Sequence, residues 1–234
     1  MNASVQRAVL VDRPNRFLGI VNLDGILVES FIPNPGRMHE LMVPGHEVYI
    51  RENKGPKRRT DYDLIGLEYN NVFVSIDSNL PNRFIKKLLR AHSLPFFDDY
   101  IQIKSEPAAY DGRFDFRLDG KSGTTFIEVK SCTLVEDGRA IFPDAPTIRG
   151  ARHLKNLIAS LKDGTANRAA MIFVIQRPDA RIFSPNDKTD PVFGQMLRKA
   201  YSNGVEIYPL ITEVVDWNLK LLNRIPFDLE FYNR

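Results

Sequence analysis

The chain has a single cysteine, Cys132, and a single tryptophan, Trp217, in 234 residues. With no second thiol, an internal disulfide and a cysteine-ligated zinc site are both excluded, and a reducing, cytoplasmic setting is expected. No apolar run approaches the roughly 18 residues that a membrane span requires. The N-terminal Met1-Asn2-Ala3-Ser4-Val5-Gln6-Arg7 runs straight into charge, so neither a membrane location nor secretion is expected. Internal repeats and low-complexity tracts are missing too. Nor does one charge dominate: 32 Lys and Arg stand against 29 Asp and Glu, a net +3 too small to establish a polyanionic partner. What is there, 43% hydrophobic and 26% charged residues, is ordinary globular composition. The length suits one large domain or two compact ones of about 100–150 residues.

The placement of charge says more than its sum. Positive residues concentrate at Lys54, Lys57, Arg58 and Arg59, and again at Arg83, Lys86, Lys87 and Arg90, while carboxylates gather mid-chain. Either cluster alone reads first as a solvated face.

Up to about Asp77, short β-like runs are broken by turns: Phe17 to Val21, Ile26 to Phe31, Val48 to Arg51, Leu64 to Glu68 and Val72 to Ile76. Asp24-Gly25 is a tight-hairpin signal, and Asn34-Pro35-Gly36 and Pro44-Gly45 punctuate the next connection. Five strands without a helix suit a small barrel of the oligonucleotide-binding kind; an SH3-like barrel or an open sheet fits nearly as well. The pattern changes at Ser78-Asn79-Leu80-Pro81, where a cap and a proline open a helix carrying Phe84, Ile85, Leu88 and Leu89 on one face. Strands are expected over 100–104, 112–118 and 124–133, then a helix over 147–162 ended by Gly164, then the apolar run Ala170 to Ile175, suited to a strand covered on both faces. A helix from Asp190-Pro191 and a strand over 205–208 complete the pattern. The fold class is therefore mixed α/β (α+β): a five-stranded barrel over 1–80, then an α-β-β-β-α-β domain over 81–234.

In Arg113-Phe114-Asp115-Phe116-Arg117, alternation puts both phenylalanines on one face and Arg113, Asp115 and Arg117 on the other. On the next strand Glu128 and Lys130 share a face. A symmetric hairpin would set Asp115 across from Glu128, two carboxylates with Cβ atoms about 5 Å apart that repel unless a cation lies between them. A magnesium or manganese ion suits such oxygen ligands, with a backbone carbonyl such as that of Val129 as a further donor. Lys130 would then orient a water or offset charge developing on a phosphoryl group. A solvated face of cross-strand ion pairs explains the same residues, because Asp followed later by Glu-x-Lys is short and common. The helix-then-strands context raises the metal reading, since the PD-(D/E)xK nucleases present their acids at such positions.

Several stretches resemble the sugar fermentation stimulation protein A family: Pro33-Asn34-Pro35-Gly36-Arg37-Met38, Arg113 to Phe116, Ile127 to Ser131, and Phe142 to Gly150 with His153-Leu154. Pro35 stands where a threonine is expected. The resemblance implies an N-terminal oligonucleotide-binding barrel and a PD-(D/E)xK nuclease-like domain. It also implies DNA binding with little sequence preference and a regulatory role in sugar, particularly maltose, use. Carried onto this chain, it makes Asp115 and Glu128 candidate metal ligands and Lys130 the candidate catalytic base or charge stabiliser.

Secondary candidates surround these. Glu106 offers a third oxygen ligand, though an exposed carboxylate at a strand end is the blander account. Arg149 and His153, four residues apart, flank a helix start where phosphate can be held. Arg16, Arg37, Arg113 and the cluster of Lys54, Lys57, Arg58 and Arg59 are further nucleic-acid contacts, with Phe17 more readily placed in the barrel core. Expected partners are DNA, single-stranded DNA or RNA included, with a homodimer through 217–231 as an option. A non-catalytic DNA-binding regulator and a sugar-binding barrel are the competing readings.

Overall fold

The computed structural model describes residues 4–233; the part of the N-terminal reading that rests on Met1 to Ala3 lies outside them. The first half is a closed barrel. Strand β1 (Val5–Asn15) pairs antiparallel with both β2 (Leu18–Leu23) and β4 (Glu47–Glu52), β2 pairs with β3 (Ile26–Phe31), and β4 pairs with β5 (Tyr62–Tyr69). A short parallel bridge, Ser30 to Tyr62 and Phe31 to Asp63, joins β3 to β5 and closes the ring. Leu10, Val21, Ile32, Val48, Ile50, Leu64 and Leu67 fill it.

The count of five barrel strands holds, but the membership differs from expectation. The 11-residue β1 has no clear signal in the sequence, because only Ala8 and Leu10 turn fully inward among charged neighbours and two register shifts interrupt the alternation. The last expected strand, β6 (Val72–Ser75), pairs with β5 outside the closure. Asp24-Gly25 does make the tight β2–β3 turn, with both residues at positive φ and Leu23 paired to Ile26.

Helix α1 (Leu80–Arg90) opens the second half. It is followed by β7 (Gln102–Ser105), the small hairpin of β8 (Ala108–Ala109) and β9 (Gly112–Arg113), and β10 (Phe116–Gly120) with β11 (Gly123–Cys132). Next come β12 (Val135–Glu136), β13 (Arg139–Phe142), α2 (Ile148–Lys162), β14 (Arg168–Ile175) and β15 (Ile182–Pro185). Finally α3 (Pro191–Ser202), β16 (Glu206–Val215) and β17 (Asn218–Arg224) complete the domain. The main sheet runs β17-β16-β14-β11-β10-β7, with β11, β14 and β16 parallel and the outer pairs antiparallel. This is the α-β-β-β-α-β arrangement expected of a nuclease-like domain.

Strand β14 is buried on both faces as its unbroken apolar run requires. Ala169, Met171, Phe173 and Ile175 join the core under α2 and α3, and Ala170, Ile172 and Val174 join the core under α1. In the stretch over 217–231, offered as a homodimer option, Leu219 enters one core of the chain, and Ile225 and Leu229 the other. No helix is long and apolar enough to cross a membrane among the described residues.

Trp217 joins the halves. It sits with Asp216 in the two-residue β16–β17 turn, both at positive φ, and projects onto the outside of the barrel. Its ring centroid lies 4.6 Å from Tyr49 and 5.9 Å from Phe73. A Cβ on Gly66 would fall 2.4 Å from the Trp217 ring and 2.4 Å from the Val74 carbonyl, so glycine is what lets the indole seat. Cys132, at the end of β11, is 1% exposed; burial, foremost, pushes its thiol pKa up.

Candidate metal centre and nucleic-acid cleft

The site grows from the β10–β11 hairpin. Phe116 pairs with Ile127, and the Asp115 amide donates to the Ile127 carbonyl at 3.1 Å. Continuing this register by one residue sets Asp115 across from Glu128, as the symmetric hairpin predicts. The expected shared face for Phe114 and Phe116 does not form. The strand breaks between β9 and β10, so Phe114 joins the core under α2 while Phe116 joins the core under α1. That break frees the Asp115 side chain from regular pairing: Oδ2 accepts from the Val129 amide at 2.7 Å, and Oδ1 accepts from Asn82 Nδ2 at 2.6 Å.

Glu128 is 2% exposed. Its Oε1 accepts from Lys130 Nζ at 2.5 Å and from His153 Nδ1, while Oε2 is buried without a hydrogen-bond partner. Arg149 Nε, which can only donate, lies 3.2 Å from His153 Nε2, while Nδ1 faces both the Glu128 carboxylate and, at 3.3 Å, Lys130 Nζ; the Arg149 and Glu128 contacts suit a proton on Nδ1.

The electrostatics divide the pair. Burial, and then the charge of Glu128, push Asp115 up to about 6 against the pull of the Val129 amide, Lys130 and Asn82. Burial also opposes charge on Glu128, but Lys130 and His153 outweigh it and hold Glu128 below the ordinary glutamate value. Two adjacent carboxylates, one raised and one with an orphaned buried oxygen, form a donor set short of positive charge. That fits a small divalent cation. Among the described residues no three His, Cys, Asp or Glu side chains cluster as metal ligands. The protein's share would therefore be two carboxylates, with carbonyl, water or phosphate oxygens completing the oxygen-rich shell that magnesium and manganese accept.

Asp115, Glu128 and Lys130 line a cleft of about 380 Å³ walled by both halves of the molecule. The barrel contributes Arg16 and the 34–36 loop, the start of α1 contributes Asn79 and Asn82, and the approach to α2 contributes Asp144 and Arg149. The barrel loop is pressed onto the second half: a Cβ on Gly36 would lie 2.4 Å from Asp144 Oδ2. A larger cavity of about 830 Å³ lies beyond Asp144, but Arg177 and Asp179 in its wall already pair, and neither acid of the hairpin reaches it.

Other sequence candidates distribute unevenly. Arg16 and Arg149 reach the cleft; Arg37 lines the neighbouring cavities instead. Glu106 is a correction. Its amide bonds to the Asp115 carbonyl, but its side chain is 72% exposed, 3.5 Å from Arg113, and outside the cleft. With Glu106 at positive φ, its backbone stays on Asp115 while its side chain points out to solvent. Arg113 is thereby a partner of Glu106, away from the acids. His153 is a second correction: read as a nucleic-acid contact, it is buried on the inner face of α2, which packs on β14 and α3, and it reaches Glu128 of β11 through Nδ1. Lys54 pairs with Glu52, and Arg58 with Asp63, whereas the side chains of Lys57 and Arg59 have no partner among the described residues. Asn82 escapes sequence reasoning. Its signal is a polar residue three before Ile85, inside the apolar stripe of α1.

Comparison with known proteins agrees with this geometry. Residues 79–217 match the family model described as the sugar fermentation stimulation protein RE domain, and residues 11–76 match the N-terminal OB domain of the same family. A sugar fermentation stimulation protein homolog of Desulforamulus reducens is 46% identical over 223 residues, 95% of this chain and 92% of its own. Its counterpart in Moorella thermoacetica is 44% identical over 208 residues, 88% of this chain and 89% of its own. The solved structure of Pyrococcus furiosus SfsA in complex with Ca2+ superposes with a TM-score of 0.88 at 31% identity, covering 97% of this chain and 98% of that one. The chain belongs to the sugar fermentation stimulation protein family.

Proposed function

We propose that the chain binds DNA in the cleft between barrel and second domain and hydrolyses phosphodiesters there with magnesium or manganese. The observation that carries this is the pairing of Asp115 with Glu128, whose Oε2 is buried and unpartnered, in a cleft that also holds Lys130, Arg16 and Arg149. Asp115 and Glu128 would hold the cation, which when bound supplies positive charge against the phosphoryl oxygens. Asn82 and the Val129 amide fix the Asp115 carboxylate, and His153 with Arg149 behind it fixes Glu128. Lys130 Nζ, held at Glu128, is placed to offset charge that grows on the phosphoryl group as it is attacked. Arg16 and Arg149 supply charge for the flanking phosphates.

The calcium named with the Pyrococcus furiosus relative supports a divalent site in that protein, and we extend it to this chain. A link to sugar use rests on the name of the relatives, and its extension to maltose on the family resemblance alone; occupancy of DNA near sugar-use genes tests it. The lone thiol supports a cytoplasmic setting. Incubating labelled DNA with manganese or magnesium tests the chemistry: cleavage should disappear in Asp115→Asn and Glu128→Gln. Cleavage persisting in the double variant removes this site from the chemistry. Tight, salt-sensitive binding with no cleavage by the native chain supports instead a regulator that uses the fold as a scaffold.

A further inference from the structure

Two exposed phenylalanines on the barrel have no structural task. Phe17 is 49% exposed and Phe31 37% exposed, their rings 13° from parallel with centroids 6.3 Å apart. Neither joins the barrel core, and both are bounded by positive charge. Arg58 lies over the Phe31 ring at 5.9 Å, with Lys57 and Arg59 unpartnered among the described residues and beside it in sequence. At the other end Phe17 follows Arg16, whose side chain is unpartnered among the described residues and lines the cleft of the acid pair. The sequence of groups is thus acid pair, cation, ring, ring, cation.

From this order we infer that the substrate strand is single-stranded, its bases stacking on Phe17 and Phe31 and its backbone running past Arg16 into the cleft. The inference rests on the nucleic-acid reading above and names its substrate class. A duplex keeps its base faces stacked on one another and offers a protein only edges and phosphates, so two exposed parallel rings gain little from it. A single strand offers the faces, and stacking on aromatic rings tolerates any sequence. The cleft points the same way. At about 380 Å³ it is of small-ligand size, and its barrel wall is pinned by Trp217 on Gly66 and by Gly36 against Asp144. A strand end or an unpaired segment enters such a space. Charge decides the occupant of the apolar rings: Arg58 is balanced by Asp63, but Arg16 next to Phe17 and Lys57 and Arg59 flanking Arg58 in sequence leave a net positive charge that favours a polyanion over a second copy of this chain, whose matching face carries the same sign.

The test measures binding of a fluorescein-labelled thymidine oligonucleotide and of a hairpin duplex to the full chain in chelator, where cleavage plays no part. The single strand should bind at least about tenfold more tightly, and Phe17→Ala with Phe31→Ala should weaken it about a hundredfold, roughly tenfold per ring, while duplex binding moves little. Phe17→Tyr with Phe31→Tyr should restore it, and the melting temperature of each variant guards against misfolding. Equal affinity for the two nucleic acids, or a single-strand affinity unchanged in the alanine variant, overturns the inference while leaving the acid site intact. A concentration-dependent dimer abolished by the same variant, with unchanged strand binding, overturns it in favour of a protein interface. Binding of neither oligonucleotide takes the nucleic-acid reading down with it, whereas loss of cleavage in Asp115→Asn leaves this binding result standing.

Discussion

Replacing Asp115 by asparagine should stabilise the metal-free protein, although it removes a proposed ligand. Its carboxyl is raised from 3.8 to about 6 by burial and by Glu128. A folded value above the unfolded one means that the folded chain holds the proton more tightly. Charge on Asp115 therefore costs nothing below the unfolded value, costs progressively between the two values, and costs its full amount above about 6. Roughly two pKa units at about 1.36 kcal/mol each set a ceiling of about 3 kcal/mol. Partial solvent access lowers the expected gain to about 1–2 kcal/mol. The amide keeps the local geometry: its oxygen accepts from the Val129 amide, and Asn82 turns its own amide to accept from the new NH2. For a chain of this size the gain is a rise of about 2–8 °C in Tm at pH 8 in chelator, with about half remaining at pH 5. Manganese reverses the order, because a hundredfold excess over Kd stabilises the native protein by about 2.7 kcal/mol and leaves the variant where it was. Scanning calorimetry across pH 5–8 with and without the ion reads both effects. A variant less stable than the native protein at pH 8 in chelator refutes the claim that burial and Glu128 together disfavour charge on Asp115.

Glu128 should behave with the opposite sign: its folded pKa is depressed, so its contribution is present above the ordinary glutamate value and lost as pH falls through the folded one. Glu128→Gln, which leaves Lys130 half-buried without its partner, should cost about 3 kcal/mol in urea unfolding at pH 7. Gly66→Ala drives a methyl into Trp217 and should cost about 1–3 kcal/mol while shifting the tryptophan emission to the red; an unchanged spectrum counts against the seated indole. Arg16→Ala should weaken DNA binding and lower the salt slope by about 1 in an anisotropy titration.

The elements of the second half are readable because its signals are local. The Ala170 to Ile175 run, the Asp190-Pro191 helix start and the alternation around Glu128 each need only a few neighbouring residues. What escapes depends on contact at long range. Strand β1 looks polar because it is a barrel stave with one narrow inner face. Phe17 reads as core because apolar residues usually are, and nothing local says that its neighbour is Phe31. Within the site, Asp115, Glu128 and Lys130 can be read from strand period, but the Asn82, His153 and Arg149 supports come from two helices and no periodicity links them to the hairpin. Glu106 misleads because its place at the strand end keeps its backbone beside Asp115 while its side chain turns out to solvent.

The lone thiol offers a clock for the strand that carries Glu128. Cys132 lies two residues beyond Lys130, with Sγ 3.5 Å from the Ile141 carbonyl and almost no access to solvent. A thiol reagent can reach it only when β11 parts from its neighbours, so the labelling rate counts those openings. Because the chain has one cysteine, the signal comes from a single known position. Slower labelling in the presence of manganese would then report how firmly an ion clasps the strand that carries Glu128, with no nucleic acid in the tube.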